Sequence, residues 1–377
     1  MNKNFSPDKL RLARILKGYT LQEVGEAVAV TRQNISQFEN GSRVPSSKDL
    51  LAALAEFLSV DESFFFKEGI NEVRPEQCHF RKRKTTPVGV TNKVIAYSTL
   101  LEELVEYLHS ILDLPESDFN FLNLSSGVDL NAADIEEFSR QARLRWGLSE
   151  DAPIDNMVDV VERAGAIVTC FDGVSDKVDA LSVNRKYPLI IRNTAKQSIC
   201  RMRFDLAHEC GHLLMHDGIE TGCQKTEREA DIFASSFLFP KEAFVSEFQG
   251  CVVGKRINWD RIYALKLRWK VSARAIIYRA NFLNLISAQT YRQANVYFSR
   301  TRQTRVEKFD DQIPQELPFV IQEAFDQVGR HLNLSFGDLS RKLGVKPLLL
   351  SSITGIESSC DDRASQYGVA SIDLYRR

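Results

Sequence analysis

Phe204-Asp205-Leu206-Ala207-His208-Glu209-Cys210-Gly211-His212-Leu213-Leu214-Met215-His216 is the stretch on which the reading of this chain turns. Phe204, Ala207, His208, Gly211, His212 and Met215 recur at intervals of three and four, so the spacing predicts a helix over 204–215 with one inward face. Positions four apart stack on a helix. His208 and His212 can therefore offer two imidazole nitrogens to one metal ion, and Glu209 leans toward the same space. A carboxylate from a following helix would complete a three-ligand zinc site with an open position for water, as in hydrolytic enzymes. Gly211 costs such a helix roughly 1 kcal/mol against Ala, which points to a close approach by another backbone or a ligand. Cys210 points elsewhere and is not counted as a ligand.

Glu227-Arg228-Glu229-Ala230-Asp231 opens a second helix, expected from Thr226 to Pro240, with Ala230, Phe233, Ala234, Phe237 and Leu238 as its buried stripe. Glu229 and Glu227 flank that stripe on opposite sides, and geometry alone does not choose between them. Thr226 and Glu229 also fit a capping box, in which Glu229 would serve only a backbone donor. In the hydrolytic reading Glu209 takes a proton from water and passes it to the leaving amine. His216, Tyr187 and Arg203 are candidate donors to the oxyanion, and His216, four residues beyond His212, could instead compete as a ligand or only cap or line the helix end. Upstream, Val178 to Val183 and Leu189 to Arg192 read as two short strands. Such a hairpin would either lay an edge strand beside the cleft, open to an extended peptide, or only support the helix.

These pieces carry a resemblance. Residues from about 150 to 290 resemble the ImmA/IrrE family of zinc metallopeptidases, through Leu189 to Asn193, Arg203 to His216, and Glu229 to Pro240. The resemblance implies zinc ligands at His208, His212 and Glu229, with Glu209 as catalytic base. It favours Glu229 because that residue directly precedes Ala230-Asp231. It also implies a protein substrate of the repressor or antitoxin kind, cut by limited proteolysis.

A second module lies near the N-terminus. Thr20-Leu21-Gln22-Glu23 is a capping box that opens a helix, and Thr31 caps the next, which ends at Gly41. Ile35 and Phe38 face inward, leaving Arg32, Gln33, Ser36 and Gln37 outside. Arg suits guanine edges and Gln suits adenine. Residues 8–60 resemble the Xre/Cro-type helix-turn-helix of phage repressors. That resemblance implies base contacts from Arg32, Gln33 and Gln37, and phosphate contacts from Thr31, Asn40, Ser42 and Arg43. It further implies an Arg14–Glu39 ion pair, a helix crossing at Gly25, and a turn at Ala29 where Gly is more usual. A palindromic double-stranded operator would need a homodimer.

With 49 basic and 50 acidic residues the chain has no global basic field, so DNA affinity must be local. Seven scattered cysteines fit reduced thiols in a cytosol. No run approaches the ~20 apolar residues of a membrane span, and a soluble cytoplasmic protein is expected. The fold class is mainly α with a small β-sheet. An N-terminal all-α helix-turn-helix bundle (1–70) precedes a basic linker (71–90) around Arg81-Lys82-Arg83-Lys84, then a helical scaffold (91–150). An α+β zincin-like metallopeptidase domain with a winged-helix-like tail (151–295) and a helical C-terminal region (296–377) complete the chain. The function implied is a DNA-binding transcriptional regulator carrying a zinc endopeptidase. It would cut a repressor- or antitoxin-like partner, or itself between residues 66 and 95. The alternative is a regulator or antitoxin whose zinc site only senses or supports structure.

Overall fold

The computed structural model describes residues 4–67, 73, 77–82, 88–124, 128–171, 178–193, 198–219, 222–254 and 256–356. The fold is mainly helical, with small sheets.

Four helices, α1 (Pro7–Lys17), α2 (Leu21–Ala27), α3 (Arg32–Glu39) and α4 (Lys48–Leu58), form the N-terminal bundle, closed by a tight turn over Glu62–Phe66. The Thr20–Glu23 capping box forms in both directions. At the crossing of α2 and α3, a Cβ on Gly25 would come within 2.8 Å of the Val30 carbonyl oxygen. Ala29 adopts the left-handed turn (φ 54°), at a cost of roughly 1 kcal/mol. Arg14 donates to both Glu39 carboxylate oxygens, at 2.6 and 2.8 Å.

Next come β1 (Cys78–Lys82), α5 (Val88–Ile111), α6 (Ala132–Arg145), α7 (Met157–Arg163), β2 (Ile167–Phe171), β3 (Val178–Val183) and β4 (Leu189–Asn193). The four strands make one sheet in the order β1-β3-β4-β2. β3 runs antiparallel to β1 and β4, and β4 runs parallel to β2. Strand β1 is a correction to the sequence reading. Arg81 and Lys82, expected in the basic linker, are paired with β3, while Arg83 and Lys84 lie outside the described residues.

Alternate residues of a strand face opposite sides, and here both faces are buried. Ile167, Leu181, Val183, Leu189 and Ile191 join a core shared with the N-terminal bundle and α5. Val168 and Ile190 join the core built on α8 (Ile199–Met215) and α9 (Gln224–Leu238). Helix α8 starts before the expected Phe204 because Ile199, Cys200 and Met202 bury themselves against Ile313 from the C-terminal half. Helix α9 also starts early. Cys223 caps it by accepting from the Thr226 backbone, so Glu229 is not part of a capping box with Thr226. Gly211 faces α9, where a Cβ would stand 3.1 Å from the Phe233 side chain. The close neighbour is thus a side chain, where a backbone or a ligand was expected.

Helix α10 (Lys241–Glu247), a small hairpin of β5 (Val252–Val253) and β6 (Arg256–Ile257), and helices α11 (Trp259–Trp269), α12 (Ala273–Phe282) and α13 (Ala288–Arg300) continue the second core. Lys270 takes a left-handed conformation (φ 53°) at the α11–α12 turn. Helices α14 (Val320–Leu332), α15 (Phe336–Leu343) and α16 (Pro347–Thr354) then return to the first core. The start of α14 is pinned by Glu162, whose carboxylate accepts from the Phe319 backbone at 3.0 Å. The N-terminal bundle is docked rather than tethered. Asp61 donates its backbone N–H to Gly344 at 2.8 Å, Lys346 donates to Ser59 at 3.0 Å, and buried Lys9 pairs with Glu103 of α5. Residues 357–377, the end of the expected helical C-terminal region, lie outside the described residues. Among the described residues no helix is long and apolar enough to cross a membrane.

The contact between Gly211 and Phe233 sets the spacing of α8 and α9. Gly211→Val overpacks it and is expected to lower the stability of the metal-free protein by about 1–3 kcal/mol. A urea titration measures this, and an unchanged midpoint would show that the helices are not held at that point.

Candidate metal centre and nucleic-acid interface

Helices α8 and α9 pack side by side beneath β3. His208 and His212, one turn apart on α8, bring their Nε2 atoms to 3.0 Å. The carboxylate that meets them comes from Glu227. Its oxygens lie 3.4 Å from His208 Nε2 and 3.4 Å from His212 Nε2. Among the described residues, His208, His212 and Glu227 are the group placed to hold a metal ion. Glu229, the carboxylate that the resemblance favours, is turned elsewhere, with Oε2 2.9 Å from His216 Nε2. Positions 227 and 229 are separated by roughly 200° around a helix of 3.6 residues per turn, so they cannot both face the imidazole pair. Position 231 is one turn on from 227, and there Asp231 Oδ1 lies 2.8 Å from His208 Nδ1.

The hydrogen bonds assign the protons. A carboxylate only accepts, so His208 carries its proton on Nδ1 toward Asp231 and keeps a lone pair on Nε2. His216 donates from Nε2 to Glu229, which makes its Nδ1 an acceptor. His212 Nδ1, 2.9 Å away, then donates to it, leaving a lone pair on His212 Nε2 as well. Two lone pairs and a carboxylate thus converge where no donor from these groups remains. Ligands of a tetrahedral zinc at ~2.0–2.1 Å would be separated by roughly 3.3 Å, close to the 3.0 and 3.4 Å found here. These residues fit the ion. Burial pushes the His212 imidazole well below its ordinary pKa, which favours the neutral form that ligates.

Glu209, fully buried, accepts a hydrogen bond from Ser182 Oγ of β3 at 2.5 Å. His79 of β1 lies over the same site. Its ring is parallel to that of His212 within 10°, with centroids 5.2 Å apart, and burial pushes its pKa down to about 4. Cys210 faces the apolar core, where burial raises its pKa well above normal. Two of the three expected oxyanion donors are engaged elsewhere. Buried Arg203 pairs with Glu316 and donates to the Ile154 carbonyl oxygen, and Tyr187 stacks on His109. His216 serves the His212–Glu229 chain. A depression of about 230 Å³ beside Asp231 is lined by Phe204, Arg274, Tyr278 and Asn295 among others.

The sequence reading passed over His79, Ser182 and Asp231. Asp231 had a signal, because Glu227 and Asp231 are four apart, matching the spacing of His208 and His212. His79 and Ser182 had none, since both depend on the pairing of β1 with β3.

In the N-terminal bundle, the N-terminal turn of α3 is exposed. Thr31, Arg32, Gln33, Asn40, Ser42 and Arg43 are exposed and Gln37 is half-buried, whereas Ile35 and Phe38 are buried. Thr31 caps the helix through the Asn34 backbone, and Asn40 Oδ1 accepts from the Ser42 backbone. The outward face is therefore polar, with one arginine and one glutamine at its leading turn.

Residues 161–281 match the family model described as IrrE N-terminal-like domain, and residues 10–65 match the model described as Helix-turn-helix. No curated protein matches the chain. This polypeptide joins an Xre-type helix-turn-helix DNA-binding domain to a peptidase-family domain of the IrrE/ImmA type.

Proposed function

We propose that the chain is a DNA-binding regulator whose IrrE-like domain is a zinc-dependent endopeptidase acting on a repressor- or antitoxin-like protein, or on the chain itself. The observation that carries this reading is the convergence of His208 Nε2, His212 Nε2 and the Glu227 carboxylate beside the buried Glu209. His208, His212 and Glu227 would hold the ion. When bound, zinc supplies Lewis-acid polarisation of the scissile carbonyl and of the attacking water. Glu209 takes the proton released by that water and delivers it to the leaving amine. Ser182 fixes the Glu209 carboxylate. Asp231 orients His208, and the Glu229–His216 chain orients His212. Outer partners of this kind typically matter 10–100-fold for metal affinity.

A second reading, a regulator or antitoxin with a structural or sensory zinc site, is favoured by the near-complete burial of His208 and His212, each 1% exposed. Glu209→Gln separates the two. Incubation of the full chain with zinc or manganese and with repressors encoded beside its gene, followed by fragment sequencing, should give fragments from the native chain and none from Glu209→Gln. Fragments from neither protein, with one zinc bound to each, would favour the second reading.

The ligand assignment has its own test. Glu227→Ala is expected to lose stoichiometric zinc, whereas Glu229→Ala should retain it with affinity weakened by about 10–100-fold. Metal titration measures both, and the reverse ranking would restore Glu229 as the ligand.

On DNA, we infer that Arg32, Gln33 and Gln37 meet base edges and that Thr31, Asn40, Ser42 and Arg43 meet phosphates, with two copies reading a palindrome. Arg32→Ala should cost roughly 1–3 kcal/mol and relax specificity at one position. Arg43→Ala should weaken binding to all sequences alike and lower the salt slope by about one. Titrations of duplexes selected from random sequence would check both, and loss of discrimination in Arg43→Ala would contradict the assignment.

A further inference from the structure

We propose that β1 is an internal strap that closes the cleft over the α8 site, and that the site opens when an incoming strand replaces β1 on β3. The proposal rests on the zinc-peptidase reading above.

Strand β1 takes the outer edge of β3, with Cys78 opposite Val183, His79 opposite Ser182 and Phe80 opposite Leu181. An extended polypeptide adding to that edge would need the backbone donors and acceptors that β1 already uses. Residues directly opposite in an antiparallel pair point to the same face. Ser182 uses that face to donate to Glu209. His79, its register partner, uses it to lay its ring over His212, and is itself only 2% exposed. One residue of β1 therefore covers both a metal-holding side chain and the neighbourhood of the proposed base. On the opposite face Cys78 and Val183 join the first core.

The strap is also built to come away. It is a five-residue edge strand, and its register with β3 is broken by an irregularity between Arg81 and Lys82. Short edge strands paired on one side belong to the low-stability end of a fold. The remainder of the sheet keeps β4 between β3 and β2. Loss of β1 would thus leave β3 in place and expose an edge beside Ser182, Glu209 and His212.

The test uses the full chain loaded with zinc. Val183→Cys places a second thiol directly across from Cys78, in the geometry of a cross-strand disulfide, and oxidation, verified by mass spectrometry, locks the strap. Zinc removal by excess dipicolinate is followed with a zinc-sensitive dye. The locked form should release zinc more slowly than its reduced form, and His79→Ala should release it faster than native protein, each by about tenfold or more. Hydrogen exchange at the β3 amides should slow in the locked form. Equal release rates in locked and reduced protein overturn the strap while leaving zinc binding intact. If the disulfide does not form, release from His79→Ala at the native rate overturns it. A native chain that binds no zinc overturns the underlying reading, and the strap with it.

Discussion

Two buried imidazole lone pairs and a half-buried carboxylate held together form the constraint around which this part of the molecule is organised. His208 and His212 are buried, their Nε2 atoms are 3.0 Å apart, and Glu227 closes the third side. Acceptors brought together in a place of low polarity repel one another, and burial without a partner costs on the order of 1–3 kcal/mol or more per group. A bound cation would remove that cost. The surrounding structure holds the acceptors in place. Asp231 and the Glu229–His216 chain fix the tautomers, and the absence of a side chain at Gly211 lets α9 approach closely enough to deliver Glu227.

The sheet transmits this organisation to the rest of the chain. In β3, Leu181 and Val183 point to the core shared with the N-terminal bundle, and Ser182 between them points to Glu209. A shift of one residue in the pairing would turn every side chain to the wrong face. Ser182 would enter an apolar core, and an isoleucine- or valine-sized neighbour would confront a carboxylate. The register that anchors the apolar side is thus the register that orients the proposed base.

Much of this was legible in the sequence, because it rests on local spacing. The histidine pair, strands β3 and β4 and the helix-turn-helix elements follow from periodicity, caps and turns. The resemblance to the helix-turn-helix of phage repressors also placed the turn at Ala29 and the crossing at Gly25. What was not legible depends on contacts far apart along the chain. Helix α8 begins early because Ile313 covers its first turn. The assignment of a carboxylate to the histidines required the rotation of α9 about its axis, which the sequence left open and the resemblance resolved toward Glu229. Strand β1 was hidden because Arg81-Lys82-Arg83-Lys84 looks like a solvated hinge. A strand whose partner lies a hundred residues downstream gives no such periodic signal.

The same long-range contacts bear on whether the helix-turn-helix and the proposed metal site could be coupled. Operator binding could alter the proposed peptidase site only through contacts that differ between the free and bound states. The N-terminal bundle is joined to α5 by the Lys9–Glu103 pair, with Lys9 only 1% exposed. Separating that pair with Lys9 still buried would cost on the order of 3–5 kcal/mol. The Val60–Val345 bridge and its flanking hydrogen bonds add a second attachment. With the bundle attached at both places, swinging on DNA would be a poor lever for pulling β1 from the sheet. Exchange at the β3 edge needs no such swing. It exchanges the pairing of β1 for the same kind of backbone bonds from another chain and lifts Cys78 and His79 from their packing. In this frame the helix-turn-helix supplies location, and the arriving polypeptide supplies the free energy that uncovers the site.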